Sequence, residues 1–259
     1  MILYIKTVHG KTHAYFAGYC NYRSILSVTI ALGPLNLITG PNGSGKSNLY
    51  KALRLLAQTA SGGVIHSLAD EGGLHSTFWA GPEEITGAMR RGEAEIQGGP
   101  RKDVVRLKLG FASETFGYTI SLGLPEPQQS AFCFDPEIKR ECIFNGPYYR
   151  PASALVDRKG NVVKIRSGRQ WEVVSQHVPS YDSMFDAHAD PSAAAEVFHV
   201  REMIRSWRFY DHFRTDSDAP ARKPQLVLAL RYYTTMAVIW RLRSRPSLKL
   251  VTKRHWIAQ

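Results

Sequence analysis

The chain has 259 residues, of which 44% are hydrophobic and 21% are charged. This length allows one large core, with or without a smaller lobe, and this composition excludes an intrinsically disordered protein. The formal net charge is +11, but seven of the 33 basic residues and none of the 22 acidic ones lie in residues 226–259. Residues 1–225 therefore hold 26 basic against 22 acidic residues, a net +4, which by itself does not indicate a nucleic-acid partner.

Sequence signals for membranes and secretion are missing. There is no run of about eighteen apolar residues, and the first residues lack the pattern of a secretion signal. Cys20, Cys133 and Cys142 have no CxxC spacing and cannot all pair, which favours a reducing compartment. The sequence thus predicts a cytoplasmic protein without a membrane partner.

The first segment with recognisable chemistry is a glycine-rich loop between a short apolar run and an amphipathic helix. Residues 40–47 match the pattern G-x-x-x-x-G-K-[ST] at each required position. The run before the loop, LNLIT at residues 35–39, predicts a buried parallel strand. After the loop, apolar residues at helical spacing predict a helix whose buried face excludes Lys51 and Arg54. These apolar residues are Leu49, Ala52, Leu53, Leu55 and Leu56.

The residue types of the loop suit the binding of phosphate. Gly43 and Gly45 allow a positive φ, and successive N–H groups at the positive end of a helix attract anions. We expect Lys46 to contact the β- and γ-phosphates of a nucleotide and the Ser47 hydroxyl to ligate Mg²⁺. The residues predicted to hold the nucleotide are Gly40, Pro41, Asn42, Gly43, Ser44, Gly45, Lys46 and Ser47.

A β-rich lobe is predicted over residues 100–175, approximately. DVVRLKLGF and FGYTISLGL predict two strands separated by ASET, and ALVDRKGNVVKI predicts a hairpin that turns at residues 159–161. Farther along, Asp190 and Pro191 predict the start of a helix over about 190–207. Its apolar face consists of Val197, Val200, Ile204 and Trp207.

Catalysis by a nucleotide-hydrolysing enzyme also needs carboxylates that hold the metal and position water. The best match is AFCFDPE, with Asp135 as a candidate metal ligand and Glu137 as a candidate base. The other interpretation is a strand of the β lobe that ends in an Asp-Pro turn. The intervening proline and the charged residues that follow favour this second interpretation.

The loop and its flanks resemble the ABC-type ATPase heads of the RecF, SMC and OLD group, and a bacterial family of AAA-type ATPases within that group. The resemblance covers residues 1–225. It is carried by GPNGSGKSNL, by the N-[FY]-R-S element at residues 21–24, by LRLLAQTASGGVIHSLADEGGLHSTFWAGP and by WRFYDHFRTD. It implies an α/β fold: the N-terminal half of a P-loop NTPase head, with two opening strands, the antiparallel β lobe and the following helix.

The resemblance also implies a ligand and partners. The ligand is ATP with Mg²⁺, with Arg23 near the nucleotide and Asn48 near the α-phosphate. Read without the resemblance, Arg23 is a solvated arginine and Asn48 an ordinary residue of a first helical turn. Intact relatives join two heads through ATP and act in DNA repair or defence, so a homodimer and DNA are partners by resemblance only.

The end of the chain departs from the pattern of the group. Neither a signature such as L-S-x-G nor a histidine on a late strand is found after Trp207, so we predict a truncated head that binds ATP without hydrolysing it. The alternative is a P-loop kinase or other complete NTPase that uses Asp135, and whether the chain is an enzyme stays open. Residues 226–259 are predicted to be a disordered or non-native tail, because a shifted reading frame near Leu226 permits the group's usual continuation. A selected basic tail for DNA or an anionic surface is the other interpretation.

Overall fold

The computed structural model describes residues 2–3, 14–33, 36–99, 103–126, 132–187, 195–207 and 209. All but residue 209 belong to one compact unit, Met1–Arg208. Asp190, Pro191 and the tail at 226–259 lie outside the described residues, so the predictions made for them stay predictions. The described part is of mixed α/β class, as expected.

Eight antiparallel strands form one sheet in the order β10-β9-β8-β7-β6-β5-β2-β3, and β1 and β4 form a separate pair. Successive strands from β5 to β10 are neighbours, which makes this part of the sheet a meander. The strands are β1 (Ile2–Leu3), β2 (Ala14–Tyr22), β3 (Ile25–Ala31), β4 (Asn36–Leu37), β5 (Leu107–Ser113), β6 (Phe116–Gly123), β7 (Glu137–Asn145), β8 (Ala154–Lys159), β9 (Val162–Ser167) and β10 (Gln170–Ser175).

Four predicted strands of the β lobe are confirmed, namely β5, β6 and the hairpin of β8 and β9. The link between β5 and β6 is two residues long, and the Ser113 hydroxyl closes it by donating to the carbonyl of Phe116 at 2.7 Å and accepting from its N–H at 3.0 Å. The hairpin of β8 and β9 turns at Gly160, where φ is 55°, a conformation that glycine adopts without strain. The two opening strands implied by the family resemblance are β2 and β3, which pair directly.

The helices lie before and after the meander. They are α1 (Lys46–Gln58), α2 (Val64–Asp70), α3 (Gly73–Thr77), α4 (Gly87–Arg91), α5 (Met184–Ala187) and α6 (Ala195–Arg205). The predicted apolar face of α1 is buried in full, and Lys51 and Arg54 are exposed. On α6 the predicted apolar residues are buried too, and Trp207 after it packs edge-on against Phe111 of β5 with ring centroids 5.0 Å apart.

Two predicted strands are wrong. The run at residues 35–39 is not a buried parallel strand, because β4 covers only Asn36–Leu37, pairs antiparallel with β1, and leaves Leu37 66% exposed. Residues 132–135 form a turn closed by the Asp135 N–H and the Phe132 carbonyl, so no strand ends at Asp135. Strand β7 begins after the proline instead, and Phe132 and Phe134 are about two-thirds exposed, which explains why an apolar run misled the prediction.

A buried ion pair joins the meander to the segment before α5. Glu141 of β7 and Arg158 of β8 stand opposite each other and are fully buried, with Arg158 Nη1 2.7 Å from Glu141 Oε2. Glu141 also accepts hydrogen bonds from the hydroxyls of Tyr118 and Ser183, both at 2.6 Å, and from the N–H of Met184 at 2.8 Å. Arg158 donates to the carbonyls of Gly160, Pro179 and Asp182. These partners satisfy both charges, as burial of an ion pair requires.

Candidate functional site: a phosphate-binding loop and its cavity

The glycine-rich loop leads directly into α1. Gly45 is the cap residue of this helix with φ 87°, and Gly43 has φ 82°, so the predicted positive φ values are confirmed. Within the described part of the chain, the N–H groups of Gly43, Gly45, Lys46 and Ser47 have no hydrogen-bond acceptor. Such a row of free donors at the N-terminus of a thirteen-residue helix is a site for an anion.

Lys46 lies across this loop. Its Nζ donates to the carbonyls of Gly40 at 2.7 Å and Pro41 at 2.6 Å, and it lies 3.3 Å from the hydroxyl of Ser44. These are neutral acceptors, so the ammonium charge is hydrogen-bonded without being neutralised. A phosphate group at the free N–H groups would supply the missing negative charge.

Ser24, in the turn between β2 and β3, fixes the loop from the side. Asn48 Nδ2 donates to the Ser24 hydroxyl at 2.8 Å, and a Cβ built on Gly45 would lie 2.9 Å from the same oxygen. Gly45 is therefore required both by its positive φ and by this close approach. The contact gives Asn48 a role in holding the loop, while its predicted contact with an α-phosphate stays a prediction.

Arg23 is engaged by a carboxylate. Its Nη2 and Nε lie 2.7 and 3.1 Å from Glu71, which also accepts from the hydroxyl of Tyr22 at 2.9 Å. The hydrogen bond to Glu71 raises the pKa of the Arg23 guanidinium. Burial, and then the charge of Glu71, raise the pKa of the Tyr22 hydroxyl. Arg23 does not line the cavity described next, so its predicted place beside a nucleotide stays a prediction.

A cavity of about 750 Å³ opens beside the loop, a size typical of small-molecule sites. Gly40, Ser44, Gly45 and Lys46 form its polar wall. Strand β3, at the edge of the sheet, adds an apolar wall, and a third wall comes from the segment that ends in α4. The residues of these two walls that face the cavity include Val28, Ile30, Trp79, Ile85 and Arg90. Within the described residues, no aspartate or glutamate lines the cavity, which suits a negatively charged ligand.

The candidate carboxylates lie elsewhere. Neither Asp135 nor Glu137 lines the cavity, and the Glu137 carboxylate forms an ion pair with Lys139. Strand β7, which Glu137 begins, is separated from β2 by β6 and β5, a distance of about 14 Å at the usual strand spacing. No group of three or more possible metal ligands occurs among the described residues. The catalytic roles of Asp135 and Glu137 therefore gain no support from their positions.

The residues of the loop fit the phosphates of a nucleotide, since the free N–H donors, the close glycine contact and Lys46 occur together. For Mg²⁺, the exposed Ser47 hydroxyl offers one oxygen ligand, and Mg²⁺ in such sites takes further ligands from phosphates and water. Sequence reasoning missed Ser24, Trp79 and Arg90. Ser24 and Trp79 stood in segments that carry the resemblance, without a role, and no local pattern marked Arg90.

The fold is of mixed α/β class, and the loop has the sequence pattern and the free N–H groups of a phosphate-binding P-loop. Residues 35–129 match the family model described as "AAA domain, putative AbiEii toxin, Type IV TA system". A segment of 38 residues is 58% identical to the DNA replication and repair protein RecF of Magnetococcus marinus (strain ATCC BAA-1437 / JCM 17883 / MC-1). That segment covers 14% of this chain and 10% of RecF. The resemblance to ABC- and AAA-type ATPases of the RecF-like group is thereby confirmed.

Among the described residues, no helix combines the length and the apolar character that crossing a bilayer demands.

Proposed function

We propose that the chain binds ATP with Mg²⁺ at residues 40–48 and in the adjoining cavity. The observation that supports this most directly is the row of four free N–H groups at the start of α1, next to the un-neutralised Lys46. Lys46 and the loop N–H groups would hold the β- and γ-phosphates, and Ser47 would hold Mg²⁺, which supplies charge neutralisation when bound. The apolar wall of β3 offers a surface for the base.

The proposal has a second part, which concerns turnover and the biological role. The chain binds ATP without hydrolysing it, because neither candidate carboxylate lines the cavity. A role in DNA repair or defence, DNA as a partner, and the joining of two heads through ATP rest on the likeness to RecF-like ATPases alone. A P-loop kinase is the less favoured alternative, since its metal ligand would be Asp135.

The first part is tested by a calorimetric titration of the full chain with Mg-ATP. Lys46→Ala removes the one charge of the loop, and a charge-assisted hydrogen bond contributes about 1.5–3 kcal/mol, so the affinity should fall about ten- to a hundred-fold. Lys51→Ala is the matched control, because Lys51 is an exposed lysine of the same helix that does not line the cavity. Equal ATP affinity in the two folded variants would contradict the assigned site.

A further inference from the structure

The lining of the cavity includes a second cation besides Lys46 of the loop, namely Arg90. Arg90 lies in the last turn of α4, a short helix with a defined start and end. The Thr86 hydroxyl caps the start by accepting from the Met89 N–H at 3.3 Å, and Gly92 ends the helix with φ 76°. The position of Arg90 is therefore fixed by local chain geometry.

Among the described residues, the positive charge of Arg90 has no partner, whereas the charge of its neighbour Arg91 is paired. Arg91 donates to both carboxylate oxygens of Glu93, at 2.7 and 2.9 Å. The exposed guanidinium of Arg90 has no hydrogen-bond acceptor or carboxylate partner among the residues that the structure describes. It borders a cavity whose described lining contains no acid, so both Lys46 and Arg90 are available to an anion that enters the cavity.

The segment that carries Arg90 is tied to the body of the protein. The backbone N–H of Trp79 donates to the carbonyl of Asn21 in β2 at 3.3 Å, and its indole N–H donates to the Pro82 carbonyl at 2.8 Å. The Trp79 ring packs over Gly81, where a Cβ would lie 2.2 Å from it. The segment that forms the third wall of the cavity is thus attached at Trp79 to strand β2 of the sheet.

Arg90 has acidic neighbours on its other side. It also borders a second cavity, whose lining includes Glu83, Glu84 and Asp103. Glu83 already accepts from the N–H of Asp103 at 3.1 Å. A structural role toward these acids is the alternative to a role of Arg90 in ligand binding.

We propose that Arg90 is a phosphate-binding residue of the nucleotide cavity, acting together with Lys46 of the loop. This inference rests on the proposed function and extends it. Guanidinium groups hold phosphate oxygens through two parallel N–H donors, and Arg90 has its donors free for that geometry.

The test compares the binding of Mg-ATP and of adenosine, by calorimetry, in the wild-type chain and in Arg90→Gln. We expect the ATP affinity of Arg90→Gln to fall about ten-fold, since the exposed position weakens the contact relative to a buried one, and adenosine binding to change less than about two-fold. Arg91→Gln is the matched control, an adjacent arginine of the same helix whose charge is already paired, and both affinities should stay at wild-type values.

Each outcome bears on the inference. Equal ATP affinities in Arg90→Gln and Arg91→Gln overturn it, and so does an equal loss of ATP and adenosine binding, which would indicate a structural role toward the second cavity. Arg90→Lys keeps the charge but loses the two parallel donors, so its ATP affinity should lie between those of the wild type and of Arg90→Gln; an affinity no higher than that of Arg90→Gln would contradict a contact that depends on charge. A loss in Lys46→Ala without a loss in Arg90→Gln leaves the proposed function standing, whereas a wild-type chain that binds no ATP overturns both.

Discussion

At the scale of single residues, we expect the fold to depend on keeping the buried ion pair of Glu141 and Arg158 intact. Glu141→Gln removes the charge that neutralises Arg158 and places an NH₂ group among four hydrogen-bond donors. Breaking such a pair costs about 3–5 kcal/mol, which a urea titration would show as a lower unfolding midpoint.

Glu93→Gln is the control for this variant, because it breaks the exposed pair with Arg91. Its unfolding midpoint should stay at the wild-type value. If Glu141→Gln and Glu93→Gln unfold at the same urea concentration, Glu141 does not have the stabilising role that its four contacts indicate.

Cys142 shows what burial does to a thiol. It is 1% exposed, and burial raises its pKa to about 12, with a smaller contribution from Asp157. Because the pKa is raised, the folded state favours the protonated thiol. The resulting contribution to the free energy of unfolding is complete below the unfolded-state pKa of about 8.5, and it is lost as pH rises toward the folded-state value. At pH 8.5, iodoacetamide should therefore label Cys142 far more slowly than Cys20 and Cys133, which are partly exposed.

Peptide mass spectrometry of samples taken over time measures the three labelling rates. In urea the three rates should converge, because the protection depends on the fold. Labelling of Cys142 at the rate of Cys133 in the native protein would show that the thiol is not held neutral.

The loop residues could be predicted from sequence because their roles depend on neighbours in the chain: a glycine that needs positive φ, a lysine at the start of a helix. Glu141 and Arg158 could not be predicted in this way. Each looks like a solvated charge, and only the register of β7 on β8 brings them face to face. Arg90 was missed for the same reason, since the cavity that it borders forms from segments distant in sequence.

At the scale of elements, the contact between β6 and β7 depends on a glycine, Gly117, at a position that has no room for a side chain. Phe144 lies over Gly117, and a Cβ at Gly117 would come within 2.1 Å of the ring. Gly117→Ala forces the buried ring to move, and overpacking of this kind costs about 1–3 kcal/mol, measured by urea unfolding. The stability that Gly117→Ala costs should be smaller in a chain that also carries Phe144→Leu, because the smaller side chain leaves room for the added Cβ.

Gly99→Ala provides the comparison, because a Cβ at Gly99 meets no atom within 4 Å. That variant should unfold at the wild-type midpoint. A Gly117→Ala chain as stable as Gly99→Ala would mean that the ring above Gly117 is free to shift.

The elements also show where pattern reasoning is reliable. Local patterns identified four strands of the meander, β5, β6, β8 and β9, and the buried face of α1, whereas β7 and β10 were not predicted individually. The same reasoning failed at β4, where an apolar run of five residues gave a two-residue strand with an exposed leucine. Whether such a run is parallel and buried depends on which strands lie beside it, and a single segment does not contain that information.

At the scale of the whole molecule, we expect ATP binding without turnover. Hydrolysis requires carboxylates that hold the metal and position water, and Asp135 and Glu137 lie outside the cavity of the loop. Phosphate release from ATP by the purified chain should not exceed that of Lys46→Ala. Faster release that disappears in Asp135→Asn, with ATP binding intact, would identify Asp135 as catalytic and contradict this expectation.

The turn at Ser24 shows that exposure and freedom to vary are different properties. Ser24 is exposed, yet its hydroxyl touches the position where Gly45 can carry no Cβ, and it holds Asn48 in the first turn of α1. A larger side chain at this turn would push against the loop, and a side chain at Gly45 would push back against the turn. The size of the side chain at position 24 is therefore limited by a loop residue twenty-one positions later, whereas Gly45 stays restricted by its positive φ whatever residue stands at position 24.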